Sequence, residues 1–235
     1  MNPAARLYRE FVYREARFRI CCDAFEAVTA AIVDQREQLG DYLARHRGIQ
    51  AAFTPIPLPP DAPRIAQRMH AAADRVGVGP MAAVAGAVAQ IAGEAGLAAG
   101  AGEAIVENGG DIYLALAAPA TVGLYAGAAA IGATLGFALT VEDSPLAICS
   151  SSGTMGHSTS LGRCDLATVV ARDAALADAA ATYAANAVTT EDDIDAVLAQ
   201  LAGMAGIQGA LIAQGERVGT IGTLPRLVRQ TPPTA

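Results

Sequence analysis

The chain has 235 residues, 53% of them hydrophobic, which is enough to bury one sizeable core as a single domain or two closely joined lobes. That apolar content excludes a disordered chain, and a formal charge of −7 without interleaved aromatic and basic residues excludes the footprint of a nucleic-acid binder. All 16 basic residues are arginine, so no side-chain amine is present for Schiff-base or lysine general-base chemistry.

The opening segment LYREFVYREARFRICC alternates bulky apolar with charged residues, the period of a hairpin with one solvated face. Asp23 is expected to cap a helix from Ala24 to about His46, in which Phe25, Val28, Ile32, Leu39, Tyr42 and Leu43 recur at helical spacing. Residues 55–63, PIPLPPDAP, carry five prolines and continue neither helix nor central strand, so they form a connector or lobe boundary. A short helix from about Arg64 to Arg75 follows. The Gly77-Val78-Gly79-Pro80 turn then leads into a helix beginning at Met81, with proline at a favoured first-turn position.

Strand AIVEN, a Gly-Gly turn and strand DIYLAL come next, then strands VGLYAG and LGFALTV. SPLAICSSSGTMGHSTSLG, dense in hydroxyls and glycines, reads as a loop. Strand DLATVVA, a helix from Asp173, helix EDDIDAVLAQLAGMAG and a closing hairpin IQGALIAQ-GE-RVGTIGT complete the chain. Strands and helices mix without regular alternation, which predicts an α+β fold.

Cys21, Cys22, Cys149 and Cys164 have neither CxxC spacing nor the density of a disulfide scaffold and read as reduced thiols. Arg and Glu are scattered through the first twenty residues, where a secretory signal would be apolar, so a cytoplasmic protein is expected. No membrane partner is expected either. The uncharged run Leu114–Val141 is interrupted by Pro119 and several glycines, and the Ala/Gly-rich run Met81–Ala101 contains Gln90 and Glu94, which suits an interior helix. The partners the sequence is compatible with are a small-molecule ligand and further copies of the chain in a homo-oligomer.

Three segments could carry chemistry. In the first, Gly79-Pro80-Met81 opens a helix whose entrance would expose backbone N–H groups and the positive dipole end; its plain alternative is a close-packed junction. The second, Glu107-Asn108-Gly109-Gly110-Asp111, is a polar turn between apolar strands. An Asn-Gly hairpin turn explains its glycines, but not the acids on both sides. The third runs from Cys149 to Asn186. Its loop offers Ser151, Ser152, Gly153, Thr154, His157 and Ser158 as short donors for a phosphate or heterocycle, and no Gly-x-Ser-x-Gly elbow supports a serine-hydrolase triad. Its helix places Asp178, Thr182 and Asn186 on one face among alanines, a carboxylate and a hydroxyl suited to a hard cation such as magnesium.

In order and spacing the three segments resemble the ApbE-like superfamily of FAD-dependent protein flavin transferases, over roughly residues 77–188. VGPMAAVAGA, VENGGDIYL, SSSGTMGHS and ADAAAT are similar more closely to a separate branch of it. The resemblance implies a mixed sheet with helices, FAD or another flavin as cofactor, and magnesium held by Asp178 and Thr182. It also implies catalytic roles for His157 and Asp178, with Gly79, Met81, Asn108, Gly109, Gly110, Asp111, Ser151, Ser152, Gly153, Thr154 and Ser158 about the ligand.

Two departures stand against full transfer of activity. Ala85 occupies the place of a lysine of the transferases, and Ser158-Thr159-Ser160 follows His157 where they carry His-x-x-Asp-Pro. The expectation is magnesium-assisted binding or transformation of a phosphorylated heterocycle, without transfer of FMN to protein. An enzyme of reduced-pterin or one-carbon cofactor synthesis and a non-catalytic cofactor-binding protein are the alternatives.

Overall fold

The computed structural model describes residues 6–125, 135–153 and 163–229. The N-terminal hairpin forms as expected, with β1 (Arg9–Tyr13) antiparallel to β2 (Ala16–Cys22) and Phe11 opposite Phe18. α1 (Phe25–Arg45), α2 (Arg64–Val76) and α3 (Val84–Ala98) follow, then β3 (Ala104–Asn108), β4 (Asp111–Ala115), β5 (Ala120–Leu124) and β6 (Leu135–Leu139). The remainder comprises β7 (Leu146–Ser151), β8 (Leu166–Ala171), α4 (Ala174–Ala187), α5 (Ile194–Ala202), β9 (Ile207–Gln214), β10 (Arg217–Gly222) and β11 (Arg226–Arg229).

Eight strands form one sheet in the order β1-β2-β3-β4-β7-β8-β9-β10, and β11-β6-β5 form a second. The fold is α+β, but every described pairing is antiparallel where a mixed sheet was expected. Because strand side chains alternate, the large sheet has two apolar faces. Phe18, Val106, Tyr113, Cys149, Val169 and Ile212 face the helices, and Cys21, Ile105, Leu114, Ile148, Val170 and Leu211 face the small sheet. The prolines of 55–63 lie in irregular chain, and both α1 and α2, on either side of them, contribute to the helix-side core.

Small residues let the helices approach closely. A methyl group on Gly86 would meet the Ala174 carbonyl oxygen of α4 at 2.2 Å, and one on Gly93 would meet the Tyr113 ring at 2.5 Å. The run Pro80–Ala98 is long and apolar enough by composition to cross a membrane, yet half of it is buried inside the protein, where α3 packs on α1, α4, β3 and β4.

Several local expectations are corrected. Residues 146–151, expected in a loop, form β7 in the middle of the large sheet; Ala147, Ile148 and Cys149 are buried on its two faces, and Ser150 satisfies its hydroxyl across the ladder on Thr168 at 2.9 Å. Ala24, not Asp23, is the N-cap of α1, with no side-chain hydrogen bond. The helix expected from Met81 begins as a 3₁₀ turn, Pro80–Ala83, and becomes α-helical at Val84. The helix expected over 191–206 is a 3₁₀ turn, Glu191–Asp193, capped by Thr190, followed by the shorter α5. β11 was not foreseen.

Candidate functional site

β3 and β4 are joined by a two-residue turn in which Asn108 pairs with Asp111 and Gly109 and Gly110 take φ of 66° and 108°. Positive φ at both central positions is what a tight hairpin requires, and glycine supplies it without strain. The turn aims Asn108 and Asp111 at the helix side of the sheet, since each shares strand parity with core-facing Val106 or Tyr113. Glu107 has the opposite parity and pairs with Arg19 at 3.6 Å, so the two acids flanking the glycines serve different faces.

Asn108 Nδ2 donates to the Ala85 carbonyl at 3.2 Å. The Gly86 amide donates to Asp178 Oδ2 at 2.9 Å, and the Ala85 amide also hydrogen-bonds that carboxylate. Asp178, on α4, therefore caps the first turn of α3 from outside it. The N–H groups that the helix entrance was expected to offer a ligand are in part taken by this side chain.

Asp111 sits beside Asp178, with 7% of its surface exposed against 8% for Asp178. The Cys149 thiol and the Ser150 amide stand beside it and favour its charged form, and among the described residues its Oδ1 has no hydrogen-bond partner. The Cys149 thiol, beside Asp111, donates to the Ala174 carbonyl at 3.5 Å. Burial pushes Asp111 well above the usual carboxylate range, and the negative charge of Asp178 pushes it further. Asp178 is raised to about 7 by burial, against the pull of the Gly86 and Ala85 amides. Burial and then the two acids hold the Cys149 thiol far above its ordinary value, which leaves it protonated and a poor nucleophile.

The structure thus brings together Asn108, Gly110, Asp111 and Asp178, although they come from a turn and a helix far apart in sequence. Gly110 lies against β7, where an added methyl group would stand 3.7 Å from the Ser150 carbonyl oxygen. Ser151 shares strand parity with Cys149 and so faces the helix side. Ser152 and Gly153 close on Cys164, whose carbonyl accepts from Ser152 Oγ at 3.3 Å and the Gly153 amide at 2.7 Å. Thr182 follows Asp178 by one helical turn on the same face and is half-buried.

Gly79 is buried against the chain before α2, and a methyl group there would fall 1.7 Å from the Ala52 carbonyl oxygen, so packing alone accounts for its glycine. Met81 is half-buried against the helix-side core. Thr154, His157 and Ser158 lie outside the described residues.

Sequence reasoning missed two groups here, the Cys149 thiol and the Ala85 backbone. Alternation along LAICSS places Cys149 on the same face as Asp111 once β7 is read as a strand. Nothing in a side-chain pattern marks a backbone amide and carbonyl.

The donor set fits a hard cation. Among the described residues no group of three His, Cys, Asp or Glu is placed to hold a metal, so a cation would draw on one or two carboxylates, the Thr182 hydroxyl, backbone carbonyls and the ligand's own oxygens. Magnesium is commonly held in this way. The four cysteines are free and buried.

The sequence profile of the family described as AbpE bacteria matches residues 13–205. A UPF0280 protein of Methanosarcina barkeri is 40% identical over 233 residues, covering 97% of this chain and 92% of its own. A UPF0280 protein of Methanothrix thermoacetophila is 42% identical over 205 residues, 87% of this chain and 86% of its own. Among solved structures, the flavin transferase ApbE from Vibrio cholerae, as its H257G mutant, superposes with a TM-score of 0.59 at 10% identity, covering 93% of this chain and 97% of that one. The ApbE protein of Thermotoga maritima superposes with a TM-score of 0.55 at 14% identity, covering 91% and 96%. At these identities the superpositions speak for the fold.

Proposed function

The chain belongs to the AbpE bacteria family, and from that premise we propose that it binds a phosphorylated heterocycle, a flavin nucleotide first, with a magnesium ion held beside Asp178. The observation that carries this reading is the pair of buried carboxylates, Asp111 and Asp178. Among the described residues no arginine is hydrogen-bonded or ion-paired to either. Without a counter-charge such a pair stays ionised only at a cost, and a divalent cation would answer it.

Asp178 and Thr182 would hold the ion. Bound there, it would supply charge neutralisation for a phosphate and polarise a phosphoryl oxygen. The protein's own part is positioning. Asn108, fixed on the Ala85 carbonyl, holds the hairpin turn against the start of α3, and Gly109, where an added methyl group would meet no atom of the described residues within 4 Å, would let a ligand reach the main chain. Transfer of FMN to a protein acceptor is not part of the proposal, since Ala85 offers no side-chain donor to a phosphate or ring.

The test is a titration of the protein with FAD in magnesium and in EDTA, followed by flavin fluorescence, with a Ser- or Thr-bearing acceptor protein then incubated in the mixture and weighed. The expected result is magnesium-dependent FAD binding and an acceptor of unchanged mass. Covalent FMN on the acceptor would overturn the non-transferase part. Failure to bind FAD or FMN, with binding of a reduced pterin instead, would move the ligand to that class.

A further inference from the structure

We propose that Asp111 Oδ1 is a second carboxylate ligand of the same cation, so that the site binds a divalent ion before any phosphorylated ligand arrives. The inference deepens the reading above and rests on it. Asp111 is over nine-tenths buried, and among the described residues the oxygen in question has no hydrogen-bond partner, which is rare for so strong an acceptor. The Cys149 thiol and the Ser150 amide stand beside that carboxylate on the sheet side and favour its charged form. The neighbouring carboxylate of Asp178 is fixed from the other side by the Gly86 and Ala85 amides.

Two carboxylates are thus anchored on separate elements, a hairpin turn and a helix, and each is oriented by backbone amides. A carboxylate oxygen has two lone pairs, so the anchoring bonds leave room for a cation. The charge count has a functional consequence. One carboxylate leaves a divalent ion with a net positive charge, which favours waiting for a phosphate to complete the site. Two neutralise it, and ligand charge is a main determinant of affinity at such sites. The protein with two would therefore carry its ion when the flavin site is empty.

The experiment is binding of manganese alone to the full chain, without flavin, followed by the electron paramagnetic resonance signal of the free ion, with magnesium as competitor. Wild type is expected to bind one ion that magnesium displaces, and Asp111→Asn, nearly the same in shape, to bind it at least about tenfold more weakly. Far-UV circular dichroism and a thermal melt in EDTA establish that the variant is folded.

If wild type binds manganese only when FAD is present, the proposal is overturned and the reading of the site stands; that outcome needs no variant. Equal affinity in wild type and Asp111→Asn also overturns it, and makes Asp111 a neutral acid of the scaffold. Absence of manganese binding both with and without FAD removes the cation reading itself.

Discussion

Asp178 accepts the Gly86 amide at 2.9 Å, so one carboxylate of α4 both closes the N-terminus of α3 and faces Asp111. The tie is reciprocal, because Gln90 of α3 accepts the Ala174 amide, at the first residue of α4, at 2.7 Å. Each helix end is completed by a side chain of the other helix. Position 178 therefore carries a structural duty that is separable from its charge.

Asp178→Ala removes an N-terminal acceptor and is expected to lower unfolding stability by about 1–2 kcal/mol. Asp178→Asn keeps an oxygen for Gly86 and relieves the repulsion with Asp111, so its urea midpoint in EDTA should lie at or above wild type while magnesium binding is lost. A midpoint for the asparagine variant as low as that of the alanine variant would show that charge, rather than the acceptor, holds α3.

Gly86→Ala places a methyl group 2.2 Å from the Ala174 carbonyl oxygen and 2.9 Å from Asp178 Cβ. Both neighbours are anchored, so the helices must separate, at a cost of about 1–3 kcal/mol or more. Gly79→Ala meets the Ala52 carbonyl at 1.7 Å and should destabilise comparably. The two differ in their ligand response: measured by thermal shift with manganese, Gly86→Ala loses the metal-dependent increment because Asp178 moves, and Gly79→Ala retains it.

Arg6 grips Glu103 with two bonds of 2.7 Å and also donates to the Ala118 and Pro119 carbonyls, while the Ala117 amide donates to Glu103. The Arg6 hydrogen bonds hold Glu103 below its usual value of 4.5. A depressed acid contributes stability that is complete above its unfolded pKa and lost as pH falls through the folded one. Glu103→Gln should therefore cost about 1–3 kcal/mol near neutrality. The gap to wild type should close from about pH 4.5 downward, as urea midpoints across pH would record.

What the sequence disclosed follows the range of the forces involved. β1, β2, α1, α2 and the β9–β10 hairpin were legible because period-two or helical spacing is a local property. The β3–β4 turn was legible because Asn108-Gly109-Gly110-Asp111 has one cheap conformation. β7 was not, because six residues ending in serines look like a loop until Thr168 and Tyr113 are known to lie on either side of them. In the site, the helical spacing of Asp178 and Thr182 could be read directly. The partition of Glu107 and Asp111 to opposite faces could not, since it depends on which faces of the finished sheet are covered. β11 is four residues of unremarkable composition whose strand character comes only from its pairing with β6.

The large sheet carries its two apolar faces on alternate residues of the same strands, so neighbours such as Ile148 and Cys149 answer to different halves of the molecule. A lineage could exchange volumes among Leu114, Ile148 and Val170 to remodel the small-sheet side while Asp111, Cys149 and Asp178 kept their surroundings. Heredity in this fold would then be partitioned by odd and even positions along a strand rather than by stretches of chain, leaving one half free to drift while the other stays under selection.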